Sequence, residues 1–380
     1  MTRLLIVTHY FADHQGGIEI VAGQLARRLA QRGLQVTWAA SGPPPAIPIP
    51  GVEFVSMKAW NGCERCWGIP YPVWSCASLR RLFTEVRRAD VVHLHETLYH
   101  GNFCAFLAAA WWRKPLFVTQ HVGDIPFRNW LLRALFRIAN HTVARLVLSR
   151  ARSVIFISEH VQRYFSSFVR FRGSVRLLPN GVDTDVFHPA LAADRLESRR
   201  ELGWAPDRMH MLFVGRFVEK KGVHLLRQLA ERFPQCTWAF VGWGPLDPSH
   251  WGLGNVINMG RVPQDQLPRH YQAADIFILP SVGEGFPLVV QEAMACGVTV
   301  CLTGEVAEGL PGVSCRVLTA DPNIEDMSAV IRQILRDPDA LTSLRTEAAE
   351  YARAVWDWEQ CASGYLDIIH EIIEDSKVRC

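Results

Sequence analysis

Short apolar runs alternate with amphipathic helical patterns along this chain, and that alternation restricts the fold more than any other feature. An apolar run at residues 4–8 leads to the pair Gly16-Gly17, a helical pattern covers 18–32, and a second apolar run follows at 35–40. A strand, a glycine turn, a helix and a strand in this order begin a doubly wound parallel sheet. The first half of the chain therefore predicts an α/β domain.

The second half repeats this plan. An apolar run at 210–214 ends in Gly215, a helical pattern begins at 223, and further strand-like runs lie at 237–241, 256–259 and 276–279. A chain of 380 residues has the ordinary length of two domains. We predict two Rossmann-like doubly wound domains, residues 1–185 and 186–356, with a C-terminal helix at about 357–380.

Residues 276–297 join a strand, a glycine-rich turn and a helix, and they carry two glutamates. Pro287 is predicted to open the helix, because its missing N–H would be unsatisfied there, and Gly297 to end it. Free N–H groups at such a helix start favour an anion. Glu284 in the turn and Glu292 in the helix can accept hydrogen bonds from sugar hydroxyls, which favours a phosphorylated, hydroxyl-rich ligand. The alternative interpretation is a surface-loop glutamate and a solvated helical one.

A cluster of cations follows the first strand of the second half. Arg216 comes directly after Gly215, and Lys220 and Lys221 precede Gly222 and the next helix. The chain has only five lysines, so an adjacent pair at this position is unusual. Arginine offers a planar fork and lysine a point charge. Together with a helix N-terminus they predict a phosphate clamp that needs no metal ion.

Three histidines lie at predicted strand ends in the first half. The run 90–95 ends in His93-Leu-His95, and the run 115–120 is followed by His121. In parallel sheets ligands bind at the carboxyl ends of the strands, so all three side chains are expected near one crevice. Each histidine taken singly is more often structural than catalytic. His121, which opens a glycine-containing loop, is the candidate for a catalytic role.

Positive charge is concentrated in the first half. Residues 1–185 contain 22 Lys and Arg against 11 Asp and Glu, whereas residues 186–380 contain 18 against 26. Residues 127–148 form an amphipathic helical pattern that has no acid. A basic helix with aromatic residues is typical of a membrane-surface element. The alternative is a core helix with arginines on its solvated face.

The charge of the first half favours contact with an anionic membrane, and no nucleic-acid module accompanies it. The expected membrane contacts are Trp130, Arg133, Arg137 and Arg145, with His141 in the same stripe and Leu132, Leu135 and Phe136 beside it. No stretch has the length and hydropathy of a transmembrane helix. We therefore expect a cytoplasmic protein that associates peripherally with the inner face of the cell membrane.

Cysteines and acids suggest no metal site. Most of the ten cysteines lie singly in apolar runs, and Cys63-Glu-Arg-Cys66 with nearby Cys76 lacks a convincing fourth zinc ligand. The string Asp183-Thr-Asp185 follows an Asn-Gly turn, and we interpret it as a chance match to a metal-binding D-x-D motif. Residues 42–75 are rich in Pro and Gly and predict an irregular segment with one short strand at 52–56.

Taken together, these motifs resemble retaining glycosyltransferases of family 4, which have the GT-B fold of two Rossmann-like domains facing across a cleft. The matching residues are Gly16-Gly17, Val118-Thr-Gln-His121, Asn180-Gly-Val-Asp183, Gly215-Arg216, Lys221-Gly222 and the pair Glu284 and Glu292. The resemblance covers nearly the whole chain. One departure is the compact segment 303–309, where the family has a longer glycine-rich turn, so the contact to the nucleotide base stays open.

The resemblance implies roles for individual residues. Arg216 and Lys221 would hold the donor diphosphate, Glu292 the ribose, and Glu284 with the backbone after Gly285 the donor sugar. Gly17 and His121 would complete the cleft from the first domain, onto which the last helix would cross back. The resulting catalytic set is Arg216, Lys221, Glu284 and His121, and the donor-binding set is Gly16, Gly17, Gly215, Gly285, Phe286, Pro287, Leu288 and Glu292.

The implied function is transfer of a hexose from a nucleoside diphosphate sugar to a lipid-linked or membrane-anchored glycan, in cell-surface polysaccharide or lipopolysaccharide assembly. The expected enzyme retains the anomeric configuration and needs no metal ion and no cofactor beyond the nucleotide-sugar donor. Two alternatives stay open. One is a nucleotide-sugar epimerase or phosphorylase of the same fold, and the other is a catalytically silent, membrane-docked scaffold.

Overall fold

The computed structural model describes residues 1–14, 16–67, 71–125, 129–337 and 341–378, and the chain divides into two compact units. Unit 1 comprises Met1–Asn180 with Glu359–Cys380, and unit 2 comprises Gly181–Trp358. The sequence placed the corresponding boundaries at 185 and about 357. No helix among the described residues is both long enough and apolar enough to cross a membrane.

Unit 1 contains a parallel sheet whose strand order is that of a doubly wound fold. Its described strands are β1 (Arg3–Tyr10), β2 (Gln35–Ser41), β3 (Val52–Met57), β4 (Ala59–Trp60), β5 (Val73–Trp74), β6 (Val91–His95), β7 (Leu116–Gln120), β8 (Ser153–Phe156) and β9 (Ser174–Leu177). The order is β3-β2-β1-β6-β7-β8-β9, with β4 and β5 as a separate antiparallel pair. Because β1 and β6 are neighbours, the chain reverses direction across the sheet there, which is where such folds bind ligands.

Helices connect these strands. They are α1 (Gly17–Gln31), α2 (Gly62–Trp67), α3 (Cys76–Arg88), α4 (His100–Trp111), α5 (Trp130–Ala139), α6 (Arg145–Arg150) and α7 (Glu159–Ser166). Apolar side chains of α3, α4, α6 and α7 pack with β1, β6, β7 and β8 in one core cluster, among them Val86, Ala105, Val147 and Phe165. Burying such side chains is the main source of the unit's stability.

Unit 2 repeats the plan with a parallel sheet ordered β12-β11-β10-β13-β14-β15. Its strands are β10 (His210–Arg216), β11 (Thr237–Trp243), β12 (Val256–Gly260), β13 (Ile276–Leu279), β14 (Thr299–Thr303) and β15 (Leu318–Ala320). Its helices are α8 (Ala192–Glu201), α9 (Val223–Arg232), α10 (Leu267–Ala273), α11 (Leu288–Ala295), α12 (Gly304–Glu308), α13 (Ile324–Arg336) and α14 (Leu341–Val355). Strands β10 and β13 are neighbours where the order reverses, so the loops after them share one edge.

The last helix, α15 (Trp358–Val378), packs on unit 1. The Tyr365 hydroxyl lies 3.0 Å from the Thr119 hydroxyl at the end of β7, and both side chains are buried. Arg176 on β9 pairs with Glu371 at 2.9 Å. The buried contact fixes the position of the helix against the sheet.

Two expectations from sequence were wrong. The segment 42–75 is not irregular with one strand, because it also forms β4, α2 and β5. The pattern at 127–148 is not one α-helix, since a π-helical turn at Asn140–Ala144 separates α5 from α6, and residues 126–128 lie outside the described part. The Thr142 hydroxyl in this turn donates to the Ile138 carbonyl of α5, a contact that amphipathic periodicity does not reveal.

Candidate active site

Glycines shape the end of β10 in unit 2. Gly215 pairs in register with Gly242, and their φ angles are 152° and 145°. A Cβ atom on Gly242 would lie 1.9 Å from the Gly215 carbonyl oxygen, so only glycine fits. This close approach places Arg216, whose side chain is exposed, at the carboxyl edge of the sheet. Gly242 is therefore required by the close approach of the two strands, and Gly215 supplies the carbonyl that it faces.

The structure brings Lys221 and Glu284 together as an ion pair. Lys221 lies in a 3-10 turn, Glu219–Lys221, before Gly222 and α9, and its Nζ is 2.9 Å from Glu284 Oε1. The two side chains are only 14% and 10% exposed. Burial raises the pKa of the Glu284 carboxyl, but the charges of Lys221, Lys220 and Arg216 outweigh it and hold that pKa below its ordinary value. Glu284 is therefore a carboxylate at neutral pH.

The loop that carries Glu284 is tied to its neighbours on both sides. The Val282 N–H donates to the Lys220 carbonyl at 3.0 Å, and the Gly283 N–H donates to Glu305 Oε1 at 3.2 Å. From sequence, the role of segment 303–309 stayed open. In the structure, the carboxylate of Glu305 in this segment contacts the loop that carries Glu284. These contacts join the loops after β10, β13 and β14 at one edge.

Helix α11 begins one residue later than predicted. Pro287 is the N-cap with an extended ψ of 112°, and Leu288 is the first helical residue. Proline's fixed φ suits either position, so sequence could not separate them. Pro287 offers no side-chain cap to the first-turn N–H groups, which leaves this helix start suited to an anion. The Phe286 ring is buried, and its centroid lies 5.7 Å from that of the Trp356 ring.

Glu292 is buried rather than solvated. The Tyr271 hydroxyl on α10 donates to Glu292 Oε2 at 2.8 Å. Burial raises the pKa of the Glu292 carboxyl to about 7, although hydrogen bonds from Tyr271 and Gln264 oppose the rise. Sequence reasoning missed Tyr271, because nothing in the local pattern of α10 distinguishes it from a core tyrosine.

A flat cationic platform lies at the ends of β11 and β12. The Arg261 guanidinium lies over the Trp243 ring, 4.1 Å from its centroid. Trp243 pairs in register with Arg216 on the adjacent strand. The pair offers a surface on which an aromatic base could stack.

In unit 1 the three histidines have different surroundings. His95 Nδ1 and His121 Nε2 are 3.0 Å apart, with both rings buried. Burial lowers the pKa of His121 to about 3, so this imidazole is neutral at physiological pH. His93 instead stacks on Phe117 and bonds the Thr119 hydroxyl at 2.8 Å, which is a structural role. Of the three, only His95 and His121 contact each other through their ring nitrogens.

The glycine turn of unit 1 is held by a cluster of charged groups. Gly16 is the N-cap of α1 and Gly17 its first residue. Buried Glu19 lies 3.0 Å from His9 Nε2 and 3.3 Å from His14 Nδ1, and these contacts outweigh burial and hold the pKa of Glu19 at about 2. His14 Nε2 also contacts Glu64 Oε1 at 3.0 Å, which ties α2 of the 42–75 segment to the turn.

Helix α5, all of whose residues the structure describes, has no buried side chain. Its exposed large apolar residues are Trp130, Leu131, Leu135 and Ile138, with exposed fractions of 78%, 61%, 61% and 60%. Arg133 and Arg137 lie on the same helix, and Arg137 pairs with Asp124 at 3.4 Å. These four side chains form an exposed apolar face beside the arginines.

No group of three or more His, Cys, Asp or Glu residues in the described ranges could hold a metal ion. The backbone carbonyl of Asp183 accepts from the N–H groups of Val186 and Phe187, in a turn after the Asn-Gly pair. The expectation about Cys63-Glu-Arg-Cys66 involves a side chain, Cys66, that lies outside the described part.

Comparison with known proteins finds the same family along most of the chain. A family model described as Glycosyltransferase Family 4 matches residues 15–186, and one described as Glycosyl transferases group 1 matches residues 194–355. A GDP-mannose-dependent alpha-(1-6)-phosphatidylinositol monomannoside mannosyltransferase from Mycolicibacterium smegmatis is 30% identical over 385 residues, which cover 93% of this chain and 95% of the relative. D-inositol 3-phosphate glycosyltransferase 2 from Catenulispora acidiphila is 28% identical over 412 residues, covering 95% and 91%.

Among solved structures, Anabaena HepE in complex with UDP matches with a TM-score of 0.79 at 18% identity, over 98% of this chain and all of that one. At this identity the likeness shows the fold, which is GT-B, as expected from the motifs. With both family models matched in turn along the sequence and a relative aligned over nearly its whole length, the chain belongs to glycosyltransferase family 4 and is an enzyme that uses a nucleotide sugar.

Proposed function

We propose that this enzyme transfers a hexose, with retention of anomeric configuration and without a metal ion, from a nucleoside diphosphate sugar to a lipid-linked or membrane-anchored glycan acceptor. The pathway class is cell-surface polysaccharide or lipopolysaccharide assembly. One observation carries the proposal, namely the Lys221–Glu284 ion pair beside Arg216 and the start of α11 at one edge of unit 2.

Arg216 and Lys221 are the proposed ligands of the donor diphosphate. As the glycosidic bond opens, negative charge grows on the leaving diphosphate, and two fixed cations stabilise that charge more than they stabilise the bound donor. The first-turn N–H groups of α11 add hydrogen-bond donors. Removing one such charged partner typically lowers kcat by about 100-fold to 1000-fold.

Glu284 and Glu292 have different tasks because their surroundings differ. Glu284 is held ionised by three cations, so it accepts hydrogen bonds from the donor sugar and does not act as a general acid. Glu292 accepts from the ribose hydroxyls. Neither glutamate acts as acid or nucleophile in this proposal. As the bond from the anomeric carbon to the diphosphate breaks, the acceptor hydroxyl oxygen attacks that carbon on the same face, and the hydroxyl proton passes to the departing phosphate oxygen, which accounts for retention.

Unit 1 supplies the acceptor side in this proposal. Gly16 and Gly17, which belong to the donor-binding set, let the backbone approach the donor, and neutral His121 offers a hydrogen bond to a sugar hydroxyl. The names of both relatives contain an inositol derivative. Inositol 3-phosphate and phosphatidylinositol therefore belong in the first acceptor panel, beside polyprenyl-linked glycans.

Turnover with a panel of UDP-, GDP- and dTDP-hexoses in EDTA tests the proposal, with the anomeric configuration of the product read by proton NMR. We expect a retained configuration, full activity in EDTA, and a loss of at least about 100-fold in Arg216→Ala. Arg227→Ala, on an exposed arginine of α9, is the control and should leave turnover unchanged.

Other outcomes of the same experiment would replace the proposal. An inverted product or strict dependence on Mn²⁺ would contradict it. Interconversion of the donor without acceptor would indicate an epimerase, and phosphate-dependent cleavage of a glycan would indicate a phosphorylase. Absence of donor binding by calorimetry would favour a silent scaffold.

The α5 face supports the membrane part of the proposal. Its exposed apolar side chains lie on the same helix as the exposed Arg133 and Arg137, and Arg145 is exposed on α6, which matches the chemistry of an anionic bilayer surface. Co-sedimentation with vesicles containing anionic phospholipid tests this with a variant in which the three arginines are changed to Glu. The matched control carries the same charge change on exposed arginines of unit 2, namely Arg227, Arg332 and Arg353. Equal binding by the two variants would refute the assignment of α5.

A further inference from the structure

A glutamate in the left-handed backbone region follows the strand that carries His95. Glu96 has a φ of 76°, and its side chain is only 5% exposed. An L-residue other than glycine in this region costs free energy, and such residues persist where the surroundings hold them. Here the Asn102 side-chain amide donates to the carbonyls of His95 and Glu96, at 2.5 Å and 2.8 Å. The backbone turn is therefore firmly held.

The Glu96 carboxylate contacts the end of the neighbouring strand, β7. Its Oε1 accepts the backbone N–H groups of His121 at 2.6 Å and Val122 at 2.7 Å, and its Oε2 accepts the Gln120 side-chain N–H at 2.6 Å. Burial raises the pKa of the Glu96 carboxyl to about 7, although these hydrogen bonds oppose the rise, and hydrogen bonds to its ionised form are stronger than bonds between neutral groups. Three of them fix the short backbone segment from which the His121 side chain extends.

The His121 ring contacts the ring of His95. Its Nε2 lies 3.0 Å from His95 Nδ1, and among the described residues His95 Nε2 has no hydrogen-bond partner. A buried N–H without a partner is rarer than a buried acceptor without one. His95 therefore carries its proton on Nδ1 and donates it to His121 Nε2, so that His121 carries its own proton on Nδ1.

We propose that Glu96 is a positioning residue for sugar transfer, which holds the backbone at His121 so that its imidazole presents an Nδ1–H of fixed orientation. This inference rests on the proposed function for the role of His121. Glu96 itself touches neither substrate nor reacting atoms. Its effect is transmitted through the amides of His121 and Val122 and through the contact with His95.

The test is Glu96→Gln, which preserves size but places an amide donor opposite the Gln120 donor. Nitrogen-15 NMR of histidine-labelled protein reports the His121 tautomer, with the resonances assigned by their loss in His121→Gln. We expect one Nδ1–H species in the wild type, and mixed tautomers or broadened signals in Glu96→Gln. Turnover should fall by about 10-fold to 100-fold, with KM for the donor within about twofold of the wild type.

Rescue and control variants separate positioning from folding. The swap Glu96→Gln with Gln120→Glu restores a carboxylate–amide pair and should recover part of kcat and the single tautomer. Glu85→Gln changes another buried acid of unit 1, which pairs with Arg88 on α3, and should alter neither readout. If Glu96→Gln does not fold, Glu96→Asp keeps the charge but shortens the reach, and the same readouts apply.

Unchanged His121 signals in a folded Glu96 variant would overturn the inference whatever the activity. Altered signals with wild-type kcat would overturn it as well, because the orientation of His121 would then not matter. An Nε2–H species in the wild type would refute the tautomer assignment. A wild-type protein without any transfer activity would refute the proposed function instead, while the NMR comparison would still decide whether Glu96 holds the His121 ring.

Discussion

Exchanging Glu292 for Gln should stabilise the ligand-free protein at alkaline pH while it weakens nucleotide binding. The carboxyl is buried, and its pKa is about 7 against an ordinary value of 4.5. The Glu292 carboxyl has a higher pKa in the folded state than in the unfolded state. Below the unfolded pKa it is protonated in both states and folding loses nothing. As pH rises from the unfolded pKa to the folded pKa, the free energy of unfolding falls. Each unit of pKa difference is worth about 1.36 kcal/mol, so above pH 7 the raised pKa of Glu292 lowers the free energy of unfolding by about 3 kcal/mol.

The variant removes this charge but keeps an oxygen to accept the Tyr271 hydroxyl. Unit 2 of Glu292→Gln should therefore be about 3 kcal/mol more stable than the wild type at pH 8, and equally stable near pH 4.5. Binding of the nucleoside diphosphate should weaken, since a hydrogen bond to a charged acceptor contributes about 1.5–3 kcal/mol. Segment-resolved hydrogen exchange across a urea series gives the stability of unit 2, and titration calorimetry gives the affinity.

Two results would refute this reasoning. A variant less stable than the wild type at pH 8 would mean that the buried carboxylate is stabilised by its surroundings. Unchanged nucleotide affinity would mean that Glu292 does not contact the ribose. The control is Glu308→Gln on α12, an exposed glutamate whose loss should change neither quantity.

Three further predictions concern stability and use the same denaturation series. Gly222→Ala should lower the stability of unit 2 by about 1–3 kcal/mol and weaken donor binding. Gly222 has a φ of 71°, and a Cβ there would lie 2.5 Å from the Pro280 carbonyl oxygen. The control is Gly203→Ala, at a φ of 69° with open space around it, which should cost less stability and leave binding unchanged. Tyr365→Phe should cost about 1 kcal/mol and speed hydrogen exchange in α15, since the contact to Thr119 is lost; unchanged exchange would contradict it. Asp275→Asn should destabilise unit 2 by about 3 kcal/mol, because the largely buried guanidinium groups of Arg195 and Arg199 donate to the Asp275 carboxylate. Unchanged stability would show that the two arginines find other partners.

Much of the fold is predictable from sequence because its signals are local. The strand Ile276–Leu279 was predicted with its observed bounds, and the helical pattern predicted at 18–32 corresponds to α1, Gly17–Gln31. Each combines a short apolar run or an amphipathic period with clear ends. The π-helical turn at Asn140–Ala144 was not predictable, because its residues have ordinary helical composition. Strands β4 and β5 are two residues long, too short for an alternating pattern.

The candidate site divides in the same way. Glycines, cations and glutamates at strand ends could be found from sequence, since parallel strands place their carboxyl ends at one edge. The pairing of Lys221 with Glu284 could not, because it joins loops separated by three strands in the chain. The bond from Tyr271 to Glu292 and the conformation of Glu96 also depend on long-range packing. Sequence thus identifies the candidate residues, and the structure shows which groups they contact.

The central claim is that Arg216 and Lys221 hold the diphosphate of a nucleotide sugar without a metal ion. Titration calorimetry of matched nucleoside diphosphates and monophosphates, in EDTA, tests it most directly. One nucleoside diphosphate should bind the wild type more tightly than its monophosphate. That preference should disappear when both cations are changed to Ala. Equal affinity for diphosphate and monophosphate in the wild type, or binding that appears only with Mn²⁺ or Mg²⁺, would contradict the account.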